Sequence, residues 1–326
     1  MATASAVASG IVAIGFAWLG TRGHYLYAIV LGVAISFGWP LFFSWLVPNA
    51  SASPGAPATA AFAILAIIVA YVLMLVFIGT EGRRFLRLHT EVDLAAKIQQ
   101  ALAPAIQRQL GQFEFAGAAR PSGTVGGDLV DLVGNADGWF GYVADVAGHG
   151  VAAGVLTGVV KSAVRTNLLH VEAGQRMATS LNQVLHDLLP PESFVAFAGL
   201  SAGANGSVRF VAAGQPPLLH YQAASGQVLP VAVENFPLGM FPEGAFAETT
   251  IACQPGDVLA VFTDGFTDIF DRQQREFGLD GLTAVLTRSA RRPLPELLAD
   301  LAAAAQAFGP QTDDQTMLLL RRRPLP

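Results

Sequence analysis

Four short acidic motifs lie at the ends of apolar segments in the later two thirds of the chain. They are Gly126-Gly127-Asp128, Asp145-Val146-Ala147-Gly148-His149-Gly150, Thr263-Asp264-Gly265 and Thr312-Asp313-Asp314. Asp disfavours strands, and charged side chains are almost never buried unless they are paired or bound to a metal. Taken singly, each motif is typical of a turn or a helix cap. All four together, in this order, indicate a shared site.

If these segment ends converge, the site consists of carboxylate oxygens. Hard cations such as Mg²⁺ or Mn²⁺ prefer such ligands, whereas zinc and copper favour His or Cys. Two cations about 3.5–4 Å apart can bind a bridging water, lower its pKa and hold a phosphoryl group for in-line attack. This chemistry needs no protein nucleophile. The single cysteine, Cys253, cannot belong to a Cys-x5-Arg phosphatase because Leu259 occupies the arginine position.

The elements that must position these motifs begin after about Phe113, where short β-type segments alternate with turn signals. The predicted strands are Phe113–Ala119, Gly127–Val133, Trp139–Val146, Phe194–Ala202, Ser207–Ala213, Pro217–Gln222, Phe246–Ala252, Val258–Thr263 and Thr316–Arg321. The predicted helices are Val151–Leu169, Gln175–Leu189, Leu279–Ser289 and Leu294–Phe308. Strands joined by tight turns pair antiparallel. The fold class predicted for residues 112–326 is therefore α+β, an antiparallel β-sandwich flanked by helices.

Residues 1–80 differ in composition from the rest of the chain. Arg22 is their one charged side chain, whereas the other 42 of the 43 Asp, Glu, Lys and Arg residues follow Thr80. Three apolar stretches approach the roughly 20 residues that cross a bilayer; they are residues 2–20, 25–47 and 59–79. A signal peptide at residues 2–20, or a version with two spans, stays open as an alternative.

Basic residues follow the third stretch, at Arg83, Arg84 and Arg87. The positive-inside rule then places everything after Thr80 in the cytoplasm. The sequence predicts a multi-pass protein of the inner (cytoplasmic) membrane, with transmembrane helices that act as an anchor or a sensor. The net charge of −5 and the absence of a basic run argue against a nucleic-acid partner.

A linker, residues 81–111, connects the two regions. Its residues 81–103 are predicted to form an amphipathic helix, with an apolar stripe that Gln99 interrupts. The helix either packs on its own domain or forms a short parallel coiled coil. The coiled coil would make a homodimer and transmit movement from the membrane.

Residues 112–322 resemble the SpoIIE/RsbU-type branch of the metal-dependent protein phosphatases, the protein phosphatase 2C superfamily. The matching stretches are residues 125–131, 145–150, 212–217, 238–242, 256–265 and 313–316. Residues 94–100 also resemble the linker helix that precedes the domain in this branch. The pattern departs from the family at Leu129, Val130 and Gln215. None of these departures removes a metal ligand, so an active enzyme is expected.

The resemblance implies removal of phosphate from serine or threonine of a protein, usually a STAS-domain anti-anti-sigma factor. It implies that Asp128 and Asp145 are the catalytic ligands of two Mn²⁺ or Mg²⁺ ions, with the Val146 carbonyl, Asp264 and Asp313 completing the metal site. Supporting or substrate-contacting roles fall to Asp131, His149, Asp314 and Arg120. His149 is weighed as structural rather than as a general acid, and Arg120 as a solvated arginine rather than a phosphate contact.

Two other functions stay open on the sequence. The first is a pseudophosphatase, a binding module that captures a signalling regulator without turnover. The second is a metal-dependent hydrolase of small phosphate esters. All four candidate acidic ligands are present, which favours turnover over capture.

Overall fold

The computed structural model describes residues 94–323, with gaps at 135–137, 149, 170–173, 191–192 and 204–205, and Met74 before them. In these described residues, no helix combines the length and the hydropathy that crossing a bilayer requires. The three predicted spans, and the first part of the predicted linker helix, lie outside the described residues.

Two antiparallel sheets form the scaffold. In their spatial order, the strands of the first sheet are β1 (Ile106–Leu110), β2 (Phe113–Arg120), β11 (Gln315–Arg322), β10 (Val258–Phe262), β7 (Leu218–Gln222) and β8 (Gln227–Val231). In the same sense, the strands of the second sheet are β3 (Asp128–Gly134), β4 (Trp139–Val146), β5 (Val195–Ala202), β6 (Val208–Ala213) and β9 (Thr249–Ile251).

Helices cover the outer faces of both sheets. Residues 94–102 are helical and are termed α1. The other helices are α2 (Val151–Asn167), α3 (Gln175–Leu188), α4 (Gly278–Ser289) and α5 (Leu294–Phe308). The predicted α+β sandwich with flanking helices is confirmed.

The buried apolar residues form three layers, as a sandwich with helices on both sides requires. The central layer packs the two sheets together and includes Phe115, Val143 and Leu318. A second layer joins α4 and α5 to the first sheet, and a third joins α2 and α3 to the second sheet. Strands buried on both faces explain the continuous apolar sequence of β10, Val258–Phe262.

All nine predicted strands and all four predicted helices of this domain are present, within about three residues at each end. The strands β1 and β8 were missed. Both lie at the edges of the first sheet, each with one paired neighbour. The β1 strand exposes its three polar central residues, and β8 contains Pro230. A proline within a segment argues against a central strand, but an edge strand tolerates it because one side of its backbone is unpaired.

Candidate active site

The candidate site begins where β3 and β4 pair. Asp128 opens β3 and lies directly opposite Asp145 on β4, at the end of the antiparallel ladder. Asp128 is buried, with 2% of its surface exposed. Burial and the charge of Asp145 raise the pKa of Asp128 well above its ordinary value. The sequence places these two carboxylates 17 positions apart, and the β3–β4 hairpin brings them side by side.

The remaining predicted carboxylates reach this pair from the other sheet. Asp264 follows β10 in a short 3-10 turn, and Asp313 precedes β11. Burial and, to a smaller extent, the charges of Asp264, Asp313 and Asp314 together raise the pKa of Asp145 to about 7. Burial also raises the pKa of Asp264, helped by the charges of Asp268 and Asp313. Asp145 therefore lies within electrostatic reach of the other three carboxylates predicted to share the site.

A threonine joins the two sheets at this point. The Thr263 hydroxyl, at the end of β10, donates a hydrogen bond to Asp128 Oδ2 at 2.8 Å. The same hydroxyl accepts a hydrogen bond from the Thr316 backbone N–H at 3.1 Å. Thr263 is 1% exposed, so neither contact competes with water. Thr263 thus fixes the orientation of a carboxylate that belongs to the opposite sheet.

The glycines of the acidic motifs make room for Asp314. The Asp314 carboxylate accepts hydrogen bonds from the Gly127 N–H at 2.6 Å and from the Ser122 N–H at 2.7 Å. A Cβ at Gly126 would lie 2.0 Å from Asp314 Oδ2, and one at Gly265 would lie 1.9 Å from the Asp314 carbonyl oxygen. The motifs Gly-Gly-Asp and Thr-Asp-Gly are therefore requirements of packing around one buried aspartate. Asp314 holds the segment that carries Asp128, which is a positioning role.

The donor set fits a hard cation by its chemistry. In the described part of the chain, no ion pair joins a lysine or arginine to Asp128, Asp145, Asp264 or Asp313. Divalent cations would offset the mutual repulsion that these raised pKa values record. As the side chains are placed, no group of three or more His, Cys, Asp or Glu among the described residues is close enough to hold an ion. Metal binding therefore requires the carboxylates to turn toward a common centre.

Asp131 has a different environment from the one predicted. It lies three residues after Asp128 on β3, and an odd spacing directs two strand residues to opposite faces. Its carboxylate accepts two hydrogen bonds from Arg165, both 2.8 Å long, and pairs with Lys161 at 3.3 Å. Both partners lie on α2. These contacts attach α2 to the sheet and do not support the predicted role in orienting metal-bound water.

The predicted roles of three other residues are not tested by the contacts in the structure. Arg120 ends β2 with an exposed side chain, and its carbonyl accepts a hydrogen bond from Gln311. Val146 ends β4, and its carbonyl lies so near Gly127 that a Cβ there would be 2.7 Å away. His149 lies outside the described residues. The roles of Arg120, Val146 and His149 stay predictions.

Gln99 is the site residue that the sequence reasoning missed. Its side-chain Nε2 donates to the Gly126 carbonyl and its Oε1 accepts from the Gly126 N–H, each at 2.8 Å. Gln99 is 8% exposed, although it lies on α1 among exposed neighbours. The signal was the polar residue that interrupts an apolar stripe. Such a residue must find partners when it is buried.

The chain lacks a Cys-x5-Arg motif, but it contains another motif of a nucleophilic enzyme, Gly-x-Ser-x-Gly, as Gly199-Leu200-Ser201-Ala202-Gly203. A nucleophile of the Gly-x-Ser-x-Gly type stands on a sharp turn between a strand and a helix. Ser201 instead lies inside β5 with 2% of its surface exposed. This placement excludes it as an accessible nucleophile.

The fold is similar to those of solved phosphatase domains. The SiaA-PP2C domain of Pseudomonas aeruginosa superposes with a TM-score of 0.63 and 22% identity, over 73% of this chain and 98% of that domain. The catalytic domain of the serine/threonine protein phosphatase PstP, solved with two manganese ions, gives a TM-score of 0.51 and 13% identity. That match covers 65% of this chain and 99% of that catalytic domain.

A curated relative is Protein IcfG of Synechocystis, which is 23% identical over 271 residues. The match covers 71% of this chain but 41% of IcfG, so the chain spans about two fifths of that relative's length. The family model of stage II sporulation protein E (SpoIIE) matches residues 135–323, more than half of the chain. With a two-sheet fold and acidic motifs in the expected order, the chain belongs to the SpoIIE family of protein phosphatase 2C-type enzymes.

Proposed function

We propose that this chain is a metal-dependent phosphatase that hydrolyses phosphoserine or phosphothreonine of a regulatory protein. The observation that carries the proposal is the pairing of buried Asp128 with half-buried Asp145, flanked by Asp264 and Asp313 from the opposite sheet. A fold needs a strong reason to bury one carboxylate against another without a basic partner. Binding of divalent cations during the reaction supplies that reason.

Asp128, Asp145, Asp264 and Asp313 would hold two Mn²⁺ or Mg²⁺ ions, with the Val146 carbonyl as a further ligand. Such ions supply an activated water and stabilise the charge of the phosphoryl group. The protein's own contribution is orientation. Thr263 fixes one oxygen of Asp128, and Asp314 fixes the backbone that precedes it.

We further propose a STAS-domain anti-anti-sigma factor as the substrate, and anchoring in the cytoplasmic membrane through residues 1–80. The resemblance to the SpoIIE/RsbU-type branch supports the substrate, and the nearly uncharged N-terminal composition supports the anchor. Residues 81–103 would connect the anchor to the catalytic domain and could form a homodimer. The exposed Leu94 and Ile98, 58% and 52% accessible, support an apolar partner for α1.

The test uses the full-length protein, a STAS-domain protein phosphorylated on serine, and para-nitrophenyl phosphate. We expect hydrolysis of both substrates that requires Mn²⁺ or Mg²⁺ and that stops in EDTA. Asp128→Ala should abolish both activities, whereas Asp280→Ala, an exposed aspartate on α4, should abolish neither.

The outcomes separate the alternatives. Hydrolysis of the small ester alone would identify a small-ester hydrolase. Binding of the phosphorylated protein without release of phosphate, at saturating Mn²⁺, would identify a pseudophosphatase. Full activity in EDTA would contradict every metal-dependent version of the proposal.

A further inference from the structure

A surface loop beside the candidate site is fixed at both of its ends. Residues 235–247 lie between β8 of the first sheet and β9 of the second. Asn235 closes the base of this loop. Its side chain donates to the carbonyls of Ala212 and Ala247, at 2.7 and 3.0 Å, and accepts from the Ala247 N–H at 2.8 Å. The loop is therefore a built element of the fold.

Helix α3 holds the tip of the same loop. Asn182, which is 2% exposed, accepts a hydrogen bond from the Gly239 N–H at 2.9 Å and donates to the Phe241 carbonyl at 3.0 Å. His186 contacts the Gly239 carbonyl at 2.9 Å. Between the loop and α3 lies a groove of about 280 Å³, here termed the aromatic groove, lined by Asn182, Phe236, Pro237, Phe241, Glu243, Gly244, Ala245 and Phe246.

Two aromatic rings of the groove face solvent. Phe236 is 68% exposed and Phe241 is 46% exposed, and their rings meet edge to face with centroids 5.0 Å apart. Loop mobility does not explain this exposure, because the backbone on both sides of the rings is hydrogen-bonded to the core. Contiguous exposed apolar surface on an ordered element marks a place where a partner binds.

The groove is close to the carboxylates. Val146, next to Asp145, pairs with Val195 on β5, and Val195 exchanges two backbone hydrogen bonds with Leu238, at 2.9 and 2.8 Å. Two strand spacings separate Val146 from Leu238, about 10 Å. An extended chain covers that distance in about three residues. A phosphorylated side chain at the site would therefore place neighbouring residues of its own protein over the groove.

The charge of this region selects among partners. Residues 210–271 contain no lysine and no arginine. Glu243 lines the groove, and Glu234 is exposed just before the loop. An apolar segment with acidic neighbours would be repelled here, whereas one with basic neighbours would be attracted.

We propose that the aromatic groove docks the phosphoprotein substrate, and that it takes an aromatic or aliphatic side chain about three to four residues from the phosphoserine, with lysine or arginine beside it. The inference rests on the proposed function, because it assigns specificity to that same site. It also separates a protein substrate from a small ester, since a small ester does not reach the groove.

The test compares phosphoserine peptides with para-nitrophenyl phosphate, using the full-length protein with Mn²⁺. The peptides carry Phe-Lys, Phe-Glu or Ala-Ala at the third and fourth positions from the phosphoserine, on either side. We expect the KM of the best Phe-Lys peptide to be about tenfold below that of Ala-Ala, since one aromatic side chain is partly buried. Phe236→Ser should remove this preference, and Glu243→Lys should shift it toward Phe-Glu. Leu229→Ser, at an exposed leucine on β8 of the other sheet, is the matched control and should leave it unchanged.

Hydrolysis of para-nitrophenyl phosphate should be the same in all three variants. Equal KM values for all peptides, or the same preference in wild type and Phe236→Ser, would overturn the docking role while leaving the proposed function intact. A parallel loss of peptide and small-ester hydrolysis in Phe236→Ser would also overturn it, because the ring would then act on the site itself. Hydrolysis of the small ester without any peptide would refute the proposed function and the docking role together.

Discussion

The contact between Gln99 and Gly126 makes a sharp prediction about how α1 supports the metal site. Gln99→Ala would leave the buried N–H and C=O of Gly126 without their two hydrogen bonds of 2.8 Å. An unsatisfied buried polar group costs about 1–3 kcal/mol. Two such groups therefore predict a loss of about 2–6 kcal/mol if the segment stays in place.

The backbone at Gly126 can instead move so that its N–H and C=O find other partners. Because Asp128 follows two residues later, this movement would displace a predicted metal ligand. Loss of a contact that supports a metal ligand typically weakens metal affinity about 10–100-fold. We therefore expect Gln99→Ala to lower the melting temperature by at least about 4 °C, or to raise the Mn²⁺ concentration for half-maximal activity at least tenfold, or to do both in part. Thermal unfolding in EDTA and Mn²⁺ titration of para-nitrophenyl phosphate hydrolysis measure the two effects separately.

The neighbouring Gln100 provides the matched control. It lies on the same helix with an exposed side chain, so Gln100→Ala removes an equal side chain without a buried contact. Gln99→Glu keeps the acceptor for the Gly126 N–H and loses the donor, and should show a partial defect. If Gln99→Ala and Gln100→Ala have the same melting temperature and the same Mn²⁺ requirement, the reasoning that α1 supports the site is refuted.

Three further predictions concern residues of the two sheets. Asp145→Asn should raise the melting temperature of the metal-free protein at pH 8 while abolishing hydrolysis. Because the pKa of Asp145 in the folded state is raised to about 7, its ionisation opposes folding as the pH rises from about 4 through 7. A variant that is no more stable than the wild type in EDTA would contradict this. Asp131→Ala should lower the melting temperature by several degrees, since Lys161 and Arg165 lose the carboxylate with which both form ion pairs. The variant should keep the wild-type Mn²⁺ requirement. A large change in that requirement would indicate that Asp131 does belong to the metal site. Thr263→Val should raise the Mn²⁺ requirement about tenfold because it removes the donor to Asp128, whereas Thr263→Ser keeps the hydroxyl and should behave like wild type in the same titration.

The sequence predicted the elements of the domain better than it predicted its contacts. Strands with continuous apolar sequences, such as Val258–Phe262, occupy central positions where burial alone determines their character. The edge strands β1 and β8 were not predicted because an edge strand is paired on one side only and therefore tolerates polar residues and proline. The pattern of apolar residues in a sequence indicates which side chains are buried. It is weak at the edges of a sheet because burial is incomplete there.

In the candidate site, too, the sequence predicted the residues better than it predicted their contacts. The four carboxylates could be predicted because burying Asp at the end of an apolar strand costs free energy, and an Asp next to an apolar segment can be recognised in the sequence alone. The alternation of strand faces could have separated Asp131 from Asp128, since their positions differ by three and successive residues of a strand face opposite sides. The contacts of Gln99, Thr263 and Asp314 join residues that are far apart in the sequence. No local pattern records such pairings.

These long-range contacts converge on Asp128, and this convergence has a consequence for control of the enzyme. The register with Asp145 ties it to the second sheet, and the Thr263 hydroxyl ties it to the first. The preceding Gly126 and Gly127 are held by Gln99 on α1 and by Asp314 before β11. A displacement of α1 would stretch the two 2.8 Å hydrogen bonds that hold Gly126 beside this carboxylate. Movement of the linker would therefore weaken metal affinity, lower the stability of the domain, or do both in part, as predicted for Gln99→Ala.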